Sequence, residues 1–572
     1  MKRYIPALLL LATLSVNAQE TKKDPLQREV VIEKEFTPIV QDASKINTIP
    51  EMEVSTSARP DIRYADWTTP YETTPEVNTL PAGDNGVEAP EKQKGYARIS
   101  IGNYLNLNAN AGIHLLNTTK NQLSLWYDHN STNGKLSYLQ IDEKTKQRRN
   151  DNKLYTCYAH NFGKLIWNIN ADYRYNTFNY YGLPLAYDKN DMAGLSETGD
   201  QQTVQHYGIN TTLSSKPNDV LNYSISLGYK GYNSDLGTYY GTRGGIENHI
   251  NACIDANAPF KDHYNVGIEL SIDNLTYSRI HDENYTILGV NPYFTMQKNG
   301  VEFRAGAQID LSFNDNTIFR IAPDLRFQWE FKKSCFIYAH LTGGKEINSL
   351  ARLSDITSYI SPNDVVTNTY TPADLSLGIR STVLNTLHFS IYGGIKYSVD
   401  ALFDYRMQNI DVTALSGILS RNVISFKAMD AYVWKAGFDL SYKPCNFFAA
   451  NLGWEHNEWR KSNSRERIKF SQPRNTWKAG ITTTPIKALD IKADFYFADG
   501  LGYTNEVSGI MNYTEADNLP NIVNLNIGAI YRLNKHIHFL AQLNNLLSKK
   551  YEIFYGMPAQ RCHFLVGAGV VF

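Results

Sequence analysis

The sequence predicts an all-β protein, a transmembrane outer-membrane β-barrel of about 22 antiparallel strands preceded by an extended periplasmic N-terminal segment. Three observations predict this fold. Apolar and polar residues alternate with a period of two from Lys94 to the end of the chain. The alternating runs are ~10–13 residues long, which exceeds the usual strand of ~5–6 residues and suits a tilted membrane crossing. The connections between the runs alternate between short and long.

Residues 1–18 form a predicted signal peptide. Lys2 and Arg3 give a positive start, and the apolar run that follows is too short to span a bilayer. Val16 and Ala18 are small enough for a signal peptidase, so cleavage is expected after Ala18. We therefore expect an exported protein.

Residues 19–93 are predicted to be a Pro-rich extended periplasmic segment. They hold 8 of the 21 prolines, and their 15 acidic and 8 basic residues give a net charge of −7. Spaced prolines disfavour both helices and central strands. Within the segment, the stretch 28–36 reads REVVIEKEF, and Val30, Val31 and Ile32 are candidates for pairing with the edge of a periplasmic partner. An ordinary extended tail is the alternative interpretation.

Residues 94–572 are predicted to form the barrel. In the run 301–313, the apolar residues Val301, Phe303 and Leu311 share one face, and Glu302 and Asp310 share the other. A shift of this strand's pairing register by one residue would place its charged side chains in lipid. There an Arg or Lys side chain destabilises the protein by ~2–4 kcal/mol at the bilayer midplane. The polar face must therefore point into a water-filled lumen. The same argument places these residues inside: Glu269, Asp273, Lys396, Asp439, Lys492 and Asp494.

The connections sort into two groups, as expected for periplasmic turns and surface loops. The predicted short ones are 162–164, 298–300, 331–334, 443–446 and 533–536. The predicted long ones are 178–201, 234–243, 346–373, 403–422, 501–521 and 546–559. Gly102 and Asn103 are compatible with a turn or a bulge. The spacing of apolar residues in 348–360 is compatible with a short helix inside a long loop.

The chain ends on HFLVGAGVVF, a strand with one apolar face. We expect it to close the barrel against the first strand. Phe564, Val570 and the terminal Phe572 are the candidate signal for the barrel-assembly machinery.

The last part of the chain, LNNLLSKKYEIFYGMPAQRCHFLVGAGVVF, resembles the closing strands of TonB-dependent receptors of the Bacteroidota type. The resemblance rests on Asn544–Leu547, Lys549–Tyr551, Pro558 and Arg561, and on the glycine-spaced final strand. The stretch 95–104 is similar to the barrel start of plug-poor relatives of such receptors. This resemblance implies a ligand-transporting barrel that engages TonB. Such receptors carry a folded plug domain, however, which the segment 19–93 is too short and too Pro-rich to supply.

A 22-strand barrel encloses a wide lumen that must be closed. Inward-folded loops, the segment 19–93, or a capping partner would each close it. The acidic segment beside a barrel of net charge +4 mildly favours contact between the two.

The sequence predicts neither an enzyme nor a cofactor or metal site. It contains no G-x-S-x-G, Walker or H-E-x-x-H motif. The cluster His281–Glu283 is interpreted as a solvated loop. Glu455, His456 and Glu458 are interpreted as rim residues beside the girdle residues Trp454 and Trp459.

Five widely spaced cysteines exclude a complete disulfide framework; unpaired thiols or a single disulfide fit the sequence. The net charge of −1 gives no support for a nucleic-acid partner. Aromatic clusters at 178–182, 237–241 and 552–556 indicate either interface anchors or stacking on a sugar or other flat ligand.

Two functions fit best. The first is a transport or receptor barrel with a reduced plug. The second is a structural or accessory barrel that scaffolds periplasmic or surface partners without moving solute. A surface hydrolase is a third. The expected partners are outer-membrane lipids, the barrel-assembly machinery, and TonB or another periplasmic protein or lipoprotein that binds residues 19–93.

Overall fold

The chain folds into a closed antiparallel β-barrel. The computed structural model describes the following residues: 94–183, 201–217, 220–235, 244–261, 263–279, 283–314, 319–360, 367–383, 386–409, 423–508 and 513–572. The signal peptide and the segment 19–93, with the candidate contact residues Val30, Val31 and Ile32, lie outside these ranges.

Within these described ranges the sheet contains 24 strands. The first twelve are β1 Gly95–Gly102, β2 Leu107–Asn117, β3 Asn121–Ser137, β4 Lys144–Asn161, β5 Leu165–Asn179, β6 Gln201–Ser215, β7 Asn222–Ser234, β8 Ile246–Lys261, β9 Tyr264–Ser278, β10 Tyr285–Lys298, β11 Val301–Phe313 and β12 Phe319–Lys332. The next twelve are β13 Cys335–Glu346, β14 Thr369–Val383, β15 Leu387–Asn409, β16 Ile424–Cys445, β17 Phe448–Lys461, β18 Asn475–Ile486, β19 Leu489–Asp499, β20 Gly502–Ser508, β21 Tyr513–Asn518, β22 Ile522–Arg532, β23 Ile537–Asn544 and β24 His563–Val571.

Twenty-two of these strands form the barrel wall. Each strand from β1 to β18 pairs antiparallel with its successor, β19 pairs with β22, β22 to β24 pair in order, and β24 closes on β1. The strands β20 and β21 form a hairpin outside the wall, and β20 runs parallel to the end of β15. The predicted fold class and strand count are therefore confirmed.

The outer face of the barrel is apolar. On β9, Val266, Ile268, Leu270 and Ile272 are all exposed at alternate positions. On β24, Phe564, Val566 and Val570 are exposed in the same way. Exposed apolar rows of this kind around a closed barrel match a hydrocarbon environment, which places the chain in an outer membrane.

The inner face is polar, and its charges are paired. Buried Asp151 on β4 lies 2.9 Å from Arg174 Nε and 3.2 Å from Arg149 Nη2. Buried Asp324 is held by Arg304 at 2.7 Å and by Arg326 at 2.9 Å. The predicted inner charges also find partners, which include Asp273–His249 at 2.8 Å, Lys396–Glu346 at 3.8 Å and Lys492–Asp494 at 3.0 Å. A buried charge is tolerated when it is paired and hydrogen-bonded.

The connections alternate as the sequence predicts. Short turns such as 299–300, 333–334 and 446–447 lie at the end that carries Gly95 and Phe572. The long connections lie at the opposite, outer end, as in bacterial outer-membrane barrels. Gly102 and Asn103 lead into a turn, a short 3-10 segment Asn103–Leu105 between β1 and β2.

The long connection after β13 contains a helix, α1 (Leu350–Ile356), within the stretch where the sequence is compatible with one. No helix in the described part of the chain is long and apolar enough to cross a membrane.

The final strand closes the barrel. Gly95 and Phe572 exchange two backbone hydrogen bonds of 2.9 Å. Gly567 faces Ser100 across this seam, and a Cβ on it would lie 2.1 Å from the Ile99 carbonyl oxygen. The close approach of β24 to β1 therefore requires glycine at this position.

The strands of the barrel wall are shortest around this seam. The strands β23, β24 and β1 have 8, 9 and 8 residues, whereas β15 and β16 have 23 and 22. The connection 545–562 between β23 and β24 lies at this low part of the wall, next to the candidate site.

Candidate functional site

Three connections meet inside the outer end of the barrel. They are 180–183 after β5, 347–360 after β13 and 545–562 after β23, and we call them the loop cluster. Their buried apolar side chains pack together with residues from the wall. The shared core consists of Leu136, Phe178, Tyr180, Tyr181, Val204, Tyr232, Leu350, Tyr359, Val423, Ile424, Phe554 and Met557. Of the three ways to close the lumen, inward-folded loops are thus present in the described part of the chain.

Helix α1 is anchored to the wall by polar contacts. The buried carboxylate of Glu247 on β8 accepts hydrogen bonds from the Leu350 N–H at 2.6 Å and the Ala351 N–H at 3.3 Å. These N–H groups belong to the first turn of the helix, which has no internal acceptor for them. Arg174 of β5 also forms an ion pair of 3.1 Å with Asp355. The connection therefore reaches from β13 to strands β5 and β8.

Tyr359 lies at the centre of the loop cluster. Its ring makes edge-to-face contacts with Phe178 and Tyr181, each at a centroid distance of 5.3 Å. Such pairs add about 0.5–1.5 kcal/mol beyond the buried area. Burial raises the pKa of Tyr181 well above its usual value of 10.0, and the pKa of Tyr359 is raised for the same reason. Both hydroxyls therefore stay protonated and act as hydrogen-bond donors.

The connection 545–562 is held by a buried carboxyl group. Glu552 accepts hydrogen bonds of 2.9 Å from the Gln140 amide and from the Gly556 N–H. Burial raises the pKa of Glu552 from its usual 4.5 to about 7, although Gly556, Gln140 and Arg406 favour the charged form. Gly556 in turn accepts a hydrogen bond of 2.8 Å from the Leu183 N–H. These bonds therefore tie the connection 545–562 to the connections 138–143 and 180–183.

A polar cavity of about 140 Å³ lies between the loop cluster and the lumen wall. Its wall side is formed by β2, β3, β4, β22 and the start of β24, and its roof by residues 357–359 and 551–560. The lining is rich in side-chain amides, which include Asn106, Asn108, Asn130, Gln147, Asn524 and Gln560. Aromatic side chains complete it, among them Tyr181, Tyr359, Tyr551 and Phe554.

The amides near the roof are held in place by one another. Gln560 binds Asn106 at 2.9 Å and donates to Thr132 at 2.8 Å. Asn545 accepts from the Lys549 N–H at 3.1 Å and donates to the Gln560 carbonyl at 3.1 Å. These bonds join the connection 545–562 to the tops of β2 and β3. The cavity is therefore built from preorganised polar groups.

The residues that the sequence singled out lie in different parts of the molecule. Phe564 and Val570 point outward on β24, and Phe572 follows at its end; their role as an assembly signal stays a prediction. His281 and Asp282 lie outside the described residues. The His456 ring binds Asn475 at 2.7 Å and lies 3.7 Å from Glu458, within a chain of surface polar contacts.

One residue was assigned to the wrong face. Trp454 packs with Phe438 and Trp477 on the outer face, as a girdle residue should. Trp459 instead packs edge-to-face against Phe403 at 5.4 Å, in a buried cluster with Phe470. Trp454 and Trp459 are five positions apart on one strand, so their side chains point to opposite faces.

The five cysteines, all in described ranges, are free, so the single disulfide left open by the sequence does not form. Within those ranges, no group of three or more His, Cys, Asp or Glu residues could hold a metal ion.

One sequence feature, the aromatic clusters, indicated this site. Two of the three aromatic clusters, 178–182 and 552–556, come together in the loop cluster, and the third lies outside the described residues. Sequence reasoning missed the amides of β2, β3 and β22, because they read as ordinary lumen-facing residues.

No family model matches the chain, and no curated protein matches it. Solved structures do match the chain. A ferripyoverdine receptor of the outer membrane of Pseudomonas aeruginosa matches with a TM-score of 0.61 and 12% identity, over 85% of this chain and 72% of the receptor. A ferric enterobactin receptor from the same species matches with a TM-score of 0.59 and 11% identity, over 84% and 80%. The copper transporter OprC matches with a TM-score of 0.59 and 12% identity, again over 84% and 80%. At this identity the likeness establishes the fold.

Proposed function

We propose that this protein is an outer-membrane transport and receptor barrel of the TonB-dependent-receptor type with a reduced plug. The observation that carries the proposal is the polar, ion-paired lumen of a 22-strand barrel, spanned at its outer end by the protein's own loops. A barrel that only scaffolds partners has no need of a water-lined passage. The neighbours of this fold, two siderophore receptors and a copper transporter, support the same proposal.

In this proposal the loop cluster is both the ligand-binding element and the outer gate. A ligand binds at the polar cavity and weakens the contacts of 545–562 with the wall, so that the connection moves and the lumen opens. A bound ligand shifts such an equilibrium only through a difference in its affinity for the two states. Contact of Val30, Val31 and Ile32 with TonB would supply the energy, through edge pairing of an extended segment. No catalytic step is part of the proposal.

Uptake by living cells tests this function. A strain lacking the gene and a strain carrying it are grown in the same medium, and the compounds removed from the medium are compared by mass spectrometry. We expect at least one compound to be removed only when the protein is present, and a protonophore to stop its removal. A chain with Val30, Val31 and Ile32 replaced by Asp is the matched control; it should assemble normally and fail to take up the compound.

A specific pair of observations would contradict the transport proposal. If the two strains remove the same compounds, and the protein purifies in a fixed ratio with a periplasmic or surface partner, the protein is an accessory barrel and the transport proposal is wrong.

A further inference from the structure

A group of basic side chains lies on the outward face of the hairpin formed by β3 and β4, at the outer end of the barrel. Residues directly opposite each other on paired strands point to the same face, and Leu154 lies opposite Tyr127, both of them exposed on the outer surface. Every second pair beyond them therefore points outward too. The outward residues at the top of the hairpin include four cations, which we call the basic patch: Lys135, Lys144, Lys146 and Arg148.

The charges of the basic patch are not paired within the described part of the chain. Lys135 and Lys146 lie directly opposite each other, and like charges in that position destabilise a sheet. None of the four cations forms an ion pair with a described residue, although Asp142 and Glu143 lie in the turn at the tip of the same hairpin. An anion supplied from outside the chain would relieve this repulsion.

A groove of about 470 Å³ adjoins the basic patch. Arg148 is part of its lining. Uncharged polar residues on the outward face of β3 to β6 supply much of the rest, and they are Ser131, Asn133, Asn150, Thr177 and Gln201. Hydroxyl and amide side chains both donate and accept hydrogen bonds, whereas Arg only donates. The groove and the patch together therefore suit a headgroup that carries hydroxyl groups and phosphate groups.

The inner side of the hairpin holds the basic patch on a rigid support. Leu136 and Thr145 alternate with the patch residues and are buried, and the Thr145 hydroxyl accepts a hydrogen bond of 3.2 Å from the Gly182 N–H in the loop cluster. The Asn179 side chain accepts a hydrogen bond from the Arg148 N–H at 2.5 Å and donates one to the Lys146 carbonyl at 2.9 Å. The backbone that carries the patch is therefore fixed on both sides.

The height of the basic patch above the hydrocarbon indicates the kind of lipid that reaches it. Tyr127 and Tyr173 flank Leu154 at one level, and exposed tyrosines mark the membrane–water interface. Arg148 lies six residues beyond Leu154 on β4. At ~3.3 Å per residue and a strand tilt of ~35–45°, Arg148 is about 15 Å above these tyrosines. Because simple phospholipid headgroups extend only ~5–8 Å from the hydrocarbon core, contact with the patch requires a larger headgroup.

We infer that the basic patch and its groove bind the phosphorylated sugar headgroup of a glycolipid in the outer leaflet, whose acyl chains lie on the apolar outer face below. Lys135, Lys146 and Arg148 contact the phosphate groups, and the polar lining of the groove contacts the sugar hydroxyls. Clusters of Lys and Arg next to a membrane attract anionic lipids, and Arg binds phosphate through paired hydrogen bonds. The inference goes beyond the proposed function, because it concerns the outward surface and holds whether or not the barrel transports a solute.

Native mass spectrometry of the purified full-length protein in detergent tests the inference. The probes are lipid A with two phosphate groups, the same lipid after enzymatic removal of both phosphates, and inorganic phosphate. We expect the phosphorylated lipid to bind at least about ten-fold more tightly than the dephosphorylated one, and inorganic phosphate at equal concentration not to displace it. The triple variant Lys135→Gln, Lys146→Gln, Arg148→Gln should bind the phosphorylated lipid about ten-fold more weakly, or less tightly still.

The triple variant Lys120→Gln, Lys164→Gln, Lys298→Gln is the matched control. It removes the same number of positive charges from exposed residues at the opposite, periplasmic end of the barrel. It should bind the phosphorylated lipid as the wild type does, which separates a defined site from a general effect of net charge. Heat-modifiable migration on gels should show that both variants are folded.

Three results would overturn the inference. The first is equal binding of the phosphorylated and dephosphorylated lipids to the wild type. The second is equal binding of the phosphorylated lipid to the wild type and to the basic-patch variant. The third is displacement of the lipid by inorganic phosphate at equal concentration, which would make the patch a site for small anions.

Discussion

The protonation of Glu552 is expected to control how firmly the connection 545–562 docks in the loop cluster. Its side chain is fully buried, and one carboxylate oxygen, Oε1, lacks a hydrogen-bond partner among the described residues. The pKa of Glu552 is about 7 in the folded loop and near 4.5 when the loop is free. The docked loop therefore favours the protonated acid. Docking is strongest below pH 4.5, weakens as the pH rises from 4.5 to 7, and changes little above that.

We predict that Glu552→Gln removes this pH dependence. A shift from 4.5 to about 7 corresponds to on the order of 3 kcal/mol of docking free energy, which is lost as the pH rises from 4.5 to 7. Hydrogen exchange of residues 545–562 is the measurement. In the wild type, protection at pH 8 should be lower than at pH 5, after correction for the intrinsic exchange rate. In the variant it should be equal at both pH values; a variant that keeps the wild-type pH dependence would assign the effect to another group.

Substitution of Phe572 tests whether this residue is part of the signal for the barrel-assembly machinery. The residue is exposed at the end of β24, and only its backbone is needed to pair with Gly95. Phe572→Ala should therefore lower the amount of folded barrel in the outer membrane, while protein refolded in vitro should lose less than about 1 kcal/mol, as surface substitutions do. Phe447→Ala, at an exposed turn residue, is the control. Equal membrane levels of both variants would show that Phe572 is not part of the signal.

At the scale of the element, the β1–β24 seam depends on glycine. A Cβ on Gly567 would lie 2.1 Å from a backbone oxygen, whereas one on Gly528 of β22 would have only Gln542 Cγ near it, at 3.8 Å. We predict that Gly567→Ala destabilises the closed barrel by ~1–3 kcal/mol, because the two strands must separate. Gly528→Ala should leave it unchanged. Heat-modifiable migration against temperature measures both, and equal midpoints would contradict the close contact.

Helix α1 is the second element with a direct test. Glu247 accepts two hydrogen bonds from its first turn, and each bond to a buried charge contributes ~1.5–3 kcal/mol. The double variant Glu247→Ala, Arg174→Ala should release the connection 347–360 from the wall. We expect higher conductance in planar bilayers than for the wild type or for Thr118→Ala in the short turn before β3. Identical conductance would mean that other parts of the chain close the lumen.

The strands, the turns between them and α1 were predictable because each follows from local pattern. The alternation of Glu302 and Phe303, for example, is enough to assign their faces. The face of Trp459 was also predictable, because Trp454 and Trp459 are an odd number of positions apart on one strand. It was assigned to the girdle because Trp is common there, without regard to this alternation. The hairpin of β20 and β21 was not predicted, because residues 501–521 were interpreted as one long connection.

The candidate site was predictable only in part. Its aromatic clusters were visible, but Tyr181, Tyr359 and Phe554 come from connections that are nearly 200 residues apart in sequence. Contacts over such separations depend on how far each loop folds inward, and no local pattern records that.

At the scale of the whole molecule, one physical division organises everything described above. Alternate side chains face hydrocarbon on the outside and water on the inside, and the loop cluster is the place where the protein fills its own lumen. The outer belt sets the location, and the polar, ion-paired lumen and the cavity under 545–562 are the features on which the proposed transport function rests.

The most direct test of this division is a spin-label scan along β11 (Val301–Phe313) in liposomes, after replacement of the five native cysteines. Accessibility to oxygen, which concentrates in lipid, and to a water-soluble nickel complex is measured at each position. We expect a period of two: high accessibility to oxygen at Phe303, Ile309 and Leu311, and high accessibility to the nickel complex at Glu302, Arg304 and Gln308. Equal accessibility of neighbouring positions to both reagents would contradict it, and a period of three to four would replace the strand with a helix.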